Sequence, residues 1–479
     1  MQNWADKLTE SRFSRKADKF CNSVWYIFAT GFVCAFCHCL NIPVVGAGLL
    51  TMLLLPAFLF CKNMFVLIPF MTMCSFVLSK DTLPDTGYFN NALSITFLCI
   101  FGVINLAAII FNIVYYERYK TLFKRAYLSL SFCILTVALL LGGVGAPSWS
   151  LTGLGMSIVI GVSMFLSYSL ILNCGLYEGK KSITYFGICL ITAAIVLIVE
   201  FFQLYVINGF STDIATVKTF LLLGCVGPNT GAAIILLSIP ITFYFVYEYK
   251  HGYLFLFLII IELLGVAMTY SRASAVVAIP GTLIVATVLC FKKKIGKKQY
   301  LIAYFVAVFA AIILIVIFRN KLYDLILMLF SGNSTGSGRT TLWELGFDAW
   351  KGYPIAGLGL WYLRIAGRFY YSFHCTPLTY LFCFGIIGLA AYIFHRYKTV
   401  RLLFSTKLTS ERVFVALTVF AMLCNALLDI AMTAATHLIY YGIMLALIEL
   451  DVNNVQKTSC ICDSNVNKRD ETNSFCNKV

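Results

Sequence analysis

Long apolar runs recur along this sequence from Val24 to Leu450, and they constrain its fold more than any other feature. Each run has the roughly 18–25 residues that an α-helix needs to cross a hydrocarbon core about 30 Å thick. The runs, such as Tyr300–Phe318, are continuous, whereas the strands of a membrane β-barrel alternate apolar and polar residues. Charged residues make up only 12% of the 479 residues, against roughly 25% in soluble domains. The sequence therefore predicts an all-α, polytopic transmembrane protein.

Fourteen spans are predicted, and twelve or thirteen are also compatible with the pattern because several hairpins are short. The predicted bounds are 24–41, 43–61, 63–79, 92–115, 126–142, 151–173, 183–207, 219–247, 253–271, 273–291, 300–318, 375–395, 411–428 and 431–450. The spans form a single transmembrane domain, 24–450, after a cytoplasmic N-terminal segment, 1–23. The polar tail, 451–479, is rich in Asn, Lys and Ser and is predicted to be a disordered cytoplasmic extension.

The distribution of positive charge predicts the orientation of these spans. With the N-terminus in the cytoplasm, 27 of the 36 Lys and Arg residues fall on the cytoplasmic side and 9 on the outer side. This bias is the one expected of membrane proteins, whose cytoplasmic loops retain Lys and Arg. The net charge of +15 is therefore explained mainly by topology, and it requires no nucleic-acid partner.

The eighteen cysteines do not predict a disulfide framework, because nearly all of them fall within spans or on the cytoplasmic side. Cys375 is the one closest to the outer surface. The cluster Cys34, Cys37, His38 and Cys39 could be interpreted as a zinc site. It lies in an apolar span, however, where cysteine usually serves as a small hydrophobic residue. The prediction is that the protein holds no metal.

One segment between spans is long: about 319–374 is predicted to be an external loop. Long loops in tightly connected proteins are often functional. Six of the nine outer positive charges lie in this loop, although a large loop can also cross the membrane regardless of its charge, and its arginines could contact lipid headgroups. The six residues are Arg319, Lys321, Arg339, Lys351, Arg364 and Arg368.

A short helix is predicted within the loop. Thr341 and Glu344 have the spacing of a capping box, which would begin the helix at Thr341. Trp343, Phe347 and Trp350 then share one face, as in a helix that lies along the membrane interface.

The end of the loop carries the aromatic residues Phe369, Tyr370 and Tyr371, followed by His374. Aromatic side chains suit the face of a sugar, although they are also common at any membrane interface. Histidine can accept a proton near neutral pH, so His374 is a candidate base for a sugar hydroxyl. The alternative is a helix-end histidine that forms only local hydrogen bonds.

Two further segments interrupt the apolar runs. Arg272 lies at the outer turn of a tight helical hairpin, within Thr269–Ser274. An arginine there could bind phosphate through its planar fork of donors, or it could extend to the lipid headgroups. Asn229 lies in the polar break Val226–Gly231, where the Pro and Gly could instead simply relax a helix.

In their order and spacing, these segments resemble the O-antigen ligase / O-antigen polymerase family of membrane glycosyltransferases. The resemblance covers about 226–389, roughly a third of the chain. Its motifs are Gly227-Pro228-Asn229 with Ala232 and Pro240, Thr269-Tyr270-Ser271-Arg272-Ala273, Gly338-Arg339 before Leu342-Trp343, Tyr353-Pro354-Ile355 with Gly357-Leu358-Gly359, and His374 before Gly385-Ile386-Ile387-Gly388-Leu389. Two positions depart from the family: Cys375 stands where the family usually has asparagine, and Phe384 where an acidic residue is common.

The resemblance implies an enzyme that takes a saccharide from a polyprenyl-pyrophosphate carrier. The acceptor would be a hydroxyl of another sugar chain or of a lipid core, on the outer face of a bacterial cytoplasmic membrane, in the assembly of O-antigen, capsule or exopolysaccharide. The enzyme would be metal-independent and inverting and would use no cofactor. A polymerase is slightly favoured over a lipid-core ligase, because nothing in the sequence points specifically to a lipid core.

The resemblance also assigns roles. Arg272 and Arg339 would stabilise the pyrophosphate leaving group, and His374 would be the base. Arg364, Arg368, Asn229, Tyr370 and Tyr371 would bind substrate.

A transporter of lipid-linked oligosaccharide, a flippase, is the alternative function. It would be expected to carry charges across many spans and often to have repeated halves, neither of which is visible here.

Overall fold

The computed structural model describes residues 11–78, 92–210, 213–223, 226–317, 319, 339–360, 363–365, 368–370, 373–429 and 434–476. These residues are almost entirely helical, which confirms the predicted all-α, polytopic fold. The α-helices are α1 Arg12–Cys21, α2 Val24–Cys39, α3 Pro43–Phe60, α4 Ile68–Met73, α5 Ala92–Tyr115, α6 Ser129–Leu140, α7 Leu151–Cys174, α8 Lys180–Asn208, α9 Ile214–Phe220, α10 Pro228–Glu248, α11 Phe255–Met268, α12 Arg272–Lys292, α13 Lys297–Ile317, α14 Arg339–Trp350, α15 Thr376–Leu403, α16 Ser410–Leu428 and α17 Ala435–Cys476.

Within the described part of the chain, nine helices are long and apolar enough to cross a membrane, and a tenth is added if α1 and α2, bent by 71°, form one span. Three apolar segments, Met64–Val77, Ser129–Leu140 and Gly252–Met268, are shorter. The total of twelve to fourteen spans stays a prediction.

Two predicted spans are not single helices. Short turns around α4 replace the span 63–79, and the span 219–247 is divided, because α9 ends at Phe220 and α10 begins only at Pro228. Proline lacks an N–H and therefore fits the first turn of a helix, where that N–H would have no partner. The break before Pro228 leaves α9 as a separate short helix.

Helix α10 is the centre of the bundle. It packs against α8, α11, α12 and α16, and 17 of its 21 residues are buried. Only two of the 24 residues of α5 are buried, so α5 lies at the periphery with its apolar side chains available to lipid. A second set of contacts joins α17 to α7 and α15 to α6.

Helix α15 is interrupted at Gly385, whose φ of 66° lies in the left-handed region. The segment 354–359 of the loop runs beside this interruption. Leu358 N–H donates to the carbonyl of Phe382 (2.8 Å), and Ile386 N–H donates to the carbonyl of Pro354 (2.9 Å). These bonds satisfy backbone groups that a broken helix would otherwise expose to lipid at a cost of several kcal/mol each.

The loop contains α14 and a small antiparallel hairpin, β1 Leu363–Ile365 with β2 Arg368–Tyr370. In the register of the hairpin, Leu363 pairs with Tyr370 and Arg364 with Phe369.

The predicted start of the loop helix was wrong. Helix α14 already includes Arg339, so Thr341 lies inside its first turn instead of capping it. The guanidinium of Arg339 donates to the carbonyl of Leu428 (2.7 Å), which holds this extra length of helix against α16.

The predicted disordered cytoplasmic tail, 451–479, stays a prediction, but helix α17 continues past the predicted end of the last span at Leu450. Asp451 itself is buried and forms an ion pair with Arg412 of α16 (2.8 Å). This buried ion pair holds the start of the tail against α16, which the polar composition of the tail does not predict.

Candidate functional site

Several helices meet at one end of the bundle, called here the site end. Helices α10, α12, α15 and α17 begin there, and α16 ends there. The short helices α9 and α14 carry Lys218 and Arg339 to the same place. Helix termini supply unpaired backbone groups, and short irregular segments can present polar side chains, so this end of the bundle is suited to binding a polar ligand.

The central contact of the site joins His374 to Asp429. His374 Nδ1 lies 3.1 Å from Asp429 Oδ1. The carboxylate is almost buried, with 6% of its side chain exposed, whereas 37% of the His374 side chain is exposed. An ionised carboxylate only accepts hydrogen bonds, so it favours the tautomer in which Nδ1 carries the hydrogen and Nε2 offers a lone pair. The exposed ring can therefore accept a proton from a bound molecule.

Neighbouring contacts fix both partners. Trp343 Nε1 donates to the carbonyl of Phe373 (2.6 Å), the residue before His374. Thr376 Oγ1 donates to the backbone carbonyl of Asp429 (3.3 Å). These bonds join α14, α15 and α16 around the pair, and they restrict the movement of the His374 ring relative to the carboxylate.

A group of three cations adjoins Asp429 of this pair through Lys218. Lys218, Arg272 and Arg339 are close enough to interact electrostatically, and Asp429 also acts on Lys218. Burial lowers the pKa of Lys218, and the positive charges of Arg272 and Arg339 lower it further, while Asp429 acts in the opposite direction. Like charges held together in a partly buried place favour the binding of an anion.

Arg272 is exposed and forms the first residue of α12, after Ser271 at the N-cap. The positive end of a helix of this length adds to the attraction for an anion. Ser271 Oγ donates to Ser274 Oγ (3.2 Å), and Asn425 Nδ2 of α16 donates to the same Ser274 Oγ (3.0 Å). The start of α12, which carries Arg272, is thus bonded to α16, which ends next to Asp429.

Two residues of the site have left-handed backbone conformations that are uncommon for side chains other than glycine. Tyr270 has a φ of 51° and His374 a φ of 48°. Such conformations cost about 1–3 kcal/mol each, and they occur preferentially where function requires them. They direct the chain sharply just before Arg272 and just before α15.

Asn229 lies in the first turn of α10, close to the pair. With Thr230 and Ala233 it lines a small cavity whose other walls are Asn425 and Asp429 near the end of α16, and Ala434 and His437 at the start of α17. Asn229 therefore lies beside Asp429 rather than among the cations.

The structure brings Arg272, Arg339, His374 and Asn229 to one end of the bundle. Their roles as site residues stay predictions. The backbones of Arg364, Arg368 and Tyr370 form the hairpin of the loop, but their side chains lie outside the described part of the structure. Tyr371 is also outside the described residues. Their assignments as substrate-binding residues stay predictions.

Four residues of the site were missed: Lys218, Asn425, Asp429 and His437. One feature of the sequence could have pointed to Asp429: it is an acidic residue in the short connection between the predicted spans 411–428 and 431–450. Lys218 also gave a signal, because it was one of only nine positive charges placed on the outer side. His437 was recognised as one of the few histidines that could face outward but was given no role, and Asn425 had no signal beyond being polar within an apolar run.

The two departures from the family pattern have structural roles. Cys375 is the N-cap residue of α15, and burial raises the pKa of its thiol, which makes it a poor nucleophile. Phe384 is buried, and its ring lies 5.5 Å from that of Tyr380. It fills the space beside Gly142, where an added Cβ would come within 2.4 Å of the Phe384 ring.

Comparison with known proteins gives a family match over part of the chain. The chain matches no curated protein. Residues 254–393 match a family model, and this segment includes Arg272, Arg339 and His374, whereas Lys218, Asn229 and Asp429 lie outside it. The matching model is that of O-antigen ligase, so residues 254–393 of this multi-pass membrane protein are similar to that family, which supports the resemblance found in the sequence motifs.

Proposed function

We propose that this protein is a membrane glycosyltransferase that moves a saccharide from a polyprenyl-pyrophosphate carrier to an acceptor hydroxyl. One observation carries the proposal: the exposed ring of His374 is bonded to Asp429 at 3.1 Å, and Asp429 interacts with Lys218, which lies close to Arg272 and Arg339. A base next to an anion site is the minimum that such a transfer requires.

The three cations would bind the pyrophosphate. When the bond between the anomeric carbon and the phosphate oxygen breaks, its electron pair stays on that oxygen and negative charge develops on the leaving group. Positive charges that are already in place stabilise this charge without having to reorganise during the reaction. Arg272 and Arg339 present planar guanidinium groups that match phosphate oxygens, and Lys218 adds a point charge.

His374 would act on the acceptor. As the hydroxyl oxygen forms its bond to the anomeric carbon, its proton moves to His374 Nε2, and the resulting imidazolium is stabilised by Asp429. A base at this step contributes typically about 10²–10⁴-fold to the rate. A single displacement of this kind inverts the anomeric carbon, and the charge on the leaving group is balanced by side chains, so we expect inversion without a divalent metal ion.

The orientation follows from the charge distribution. We place the site end on the outer side of the bacterial cytoplasmic membrane, because this places both termini and 27 of the 36 Lys and Arg residues in the cytoplasm. The products would then be surface polysaccharides such as O-antigen, capsule or exopolysaccharide. Between the two acceptors, we retain a slight preference for a polymerase.

The test is transfer by the purified protein in detergent, given a polyprenyl-pyrophosphate oligosaccharide with and without a separate lipid-core acceptor. Longer saccharides on the carrier would establish a polymerase, and label on the core alone would establish a ligase. His374→Gln and Arg272→Gln are expected to abolish most of the transfer while the proteins still insert and elute as the wild type does.

Lys351→Gln is the matched control, because Lys351 lies in the same loop, is exposed and pairs with Asp348 of its own helix (2.8 Å). It should retain activity. If the wild type transfers nothing to either acceptor but moves the lipid-linked oligosaccharide across vesicles, the proposal fails and the flippase function replaces it.

A further inference from the structure

Two residues that line the small cavity beside Asp429 have buried polar atoms that no described residue satisfies. His437 is 1% exposed, and neither of its ring nitrogens has a hydrogen-bond partner among the described residues. The same is true, within that part of the chain, of Asn425 Oδ1. Both residues line the cavity. Three buried polar atoms without a described partner on two neighbouring residues are uncommon, because each would lose about 1–3 kcal/mol of hydration without a replacement.

The cavity has the size and lining of a water site. Measured as the space open to the centre of a water-sized sphere, its volume is about 10 Å³, which is room for about one water molecule. Buried waters typically form about three hydrogen bonds with polar groups that otherwise have no partner. Here the polar lining consists of Asn229, Thr230, Asn425, Asp429 and His437.

We propose that this cavity holds an ordered water molecule, and that His437 acts through it as a positioning residue for Asp429 and hence for the His374 ring. The neutral imidazole of His437 would accept a hydrogen bond from the water, or donate one to it, and Asn425 Oδ1 would accept another. Asp429 lines the same space, so the water can bridge its carboxylate to His437. The part that concerns His374 as a base rests on the proposed function, whereas the water site does not.

The bridge would also connect the two halves of the site. Asn425 donates to Ser274 Oγ (3.0 Å), two residues after Arg272. Asp429 bonds His374 (3.1 Å). A water between Asn425 and Asp429 therefore continues one chain of hydrogen bonds from the start of α12 to the base. A loss of this chain would loosen the placement of His374, and misplacement of a reacting group by about 1 Å can lower a rate by about a hundredfold.

The first measurement is a structure of the full-length protein in lipid nanodiscs, at a resolution that shows buried waters elsewhere in the molecule. We expect a density peak within hydrogen-bond distance of the His437 ring, Asn425 Oδ1 and the Asp429 carboxylate. Ala233→Val is the second arm, because Ala233 lines the cavity and the added methyl groups would displace the water while every polar side chain stays in place. An empty cavity in the wild-type map would overturn the proposal.

The second measurement uses the small number of histidines. The protein has five, so ¹⁵N-histidine labelling gives a spectrum in which the tautomer of His374 can be assigned by its loss in His374→Gln. His437→Phe should change the His374 signals, and His437→Gln, which keeps a donor and an acceptor, should change them less. His251→Phe, far along the chain from this cavity, is the control and should leave them unchanged.

Kinetics separate this proposal from the function itself. His437→Phe and Ala233→Val are expected to lower kcat by about ten- to a hundredfold with little change in KM for the donor, because binding of pyrophosphate does not use the water. If His374 signals are identical in the wild type and in folded His437→Phe, the positioning role is refuted even when transfer is active. If the signals change as expected but the wild type transfers nothing, the proposed function fails and the water-linked contact stands.

Discussion

The carboxylate of Asp429 determines which tautomer of His374 is favoured. Asp429 accepts from Nδ1, and so it decides which ring nitrogen faces the exposed side (3.1 Å). We predict that Asp429→Asn will lower kcat about a hundredfold or more, because an amide can bond either tautomer and cannot stabilise the imidazolium. Transfer kinetics of the purified variant, alongside its melting temperature, measure this effect.

Asp348→Asn is the control for that change, since Asp348 is an exposed acid that pairs with Lys351 on α14. Full activity of Asp429→Asn would show that the carboxylate does not serve the base.

The lowered pKa of Lys218 predicts a dependence of anion binding on pH. Burial, Arg272 and Arg339 lower this pKa in the free protein, and a bound pyrophosphate would raise it again. Binding should therefore take up protons, and affinity for inorganic pyrophosphate should fall as pH rises through the pKa of the free protein. Calorimetry in buffers of different ionisation enthalpy measures the uptake.

In Lys218→Arg the fall in affinity should move to higher pH, because arginine stays charged. Proton uptake that is the same in Lys218→Arg as in the wild type would assign the effect to another group.

Sequence pointed to Arg272 and His374 because each stands at the outer end of a predicted span, and to Asn229 because it lies in a polar break of an apolar run. Arg339 came from the charged loop and from the family motif Gly338-Arg339. It could not identify Asp429 as the partner of His374, since 55 positions separate them and no local pattern encodes such a contact. The same applies to Asn425 and Ser274, which are 151 positions apart.

Among the elements, the interrupted helix α15 requires glycine at position 385, where there is no room for a side chain. A Cβ on Gly385 would lie 2.1 Å from the carbonyl oxygen of Ile355, and the residue has a φ of 66°. We predict that Gly385→Ala will lower stability by about 3 kcal/mol or more and reduce the folded yield, because both strain and a backbone clash oppose it. Thermal melting in detergent, followed by fluorescence, measures the loss.

Gly281→Ala is the control, because Gly281 also lies within a helix, α12, and an added Cβ would meet nothing within 4 Å. It should be neutral or slightly stabilising, by about 0.5–1 kcal/mol. Equal melting temperatures of the Gly385 and Gly281 variants would argue against the contact with 354–359.

Hydropathy predicted most of the long helices but not their interruptions. A window of about 19 residues averages over a break, so the spans 63–79 and 219–247 were predicted as continuous although the first contains short turns and the second has a gap before Pro228. The motifs Gly357-Leu358-Gly359 and Gly385–Leu389 were recognised separately, but their pairing through backbone bonds has no signature in side-chain types.

At the scale of the whole molecule, the end opposite the site is held by buried charges. Arg412 Nε donates to Asp451 Oδ2 (2.9 Å), and the ion pair joins α16 to α17. We predict that Asp451→Asn will cost about 3–5 kcal/mol of stability, because it leaves an arginine buried without its counter-charge. Folded Asp451→Asn should keep the KM of the wild type, since the change lies at the other end of both helices.

The double variant Arg412→Met/Asp451→Leu is expected to be more stable than Asp451→Asn, because replacing a buried pair by apolar groups removes the unpaired charge. Melting temperatures of the three proteins test this order. A double variant less stable than Asp451→Asn would mean that the pair contributes more than mutual neutralisation.

The hydrogen bonds between the segment 354–359 and the interrupted helix α15 also affect how the protein can be synthesised. This segment precedes α15 in the chain, so it has already left the ribosome when Gly385 emerges. The unpaired backbone groups of α15 can therefore be bonded as soon as the helix forms. If α15 were synthesised before the segment 354–359, its unpaired backbone groups would stay exposed to lipid until that segment was made. A circularly permuted gene that begins at α15 and ends with the loop should therefore insert poorly, even though it encodes the same contacts.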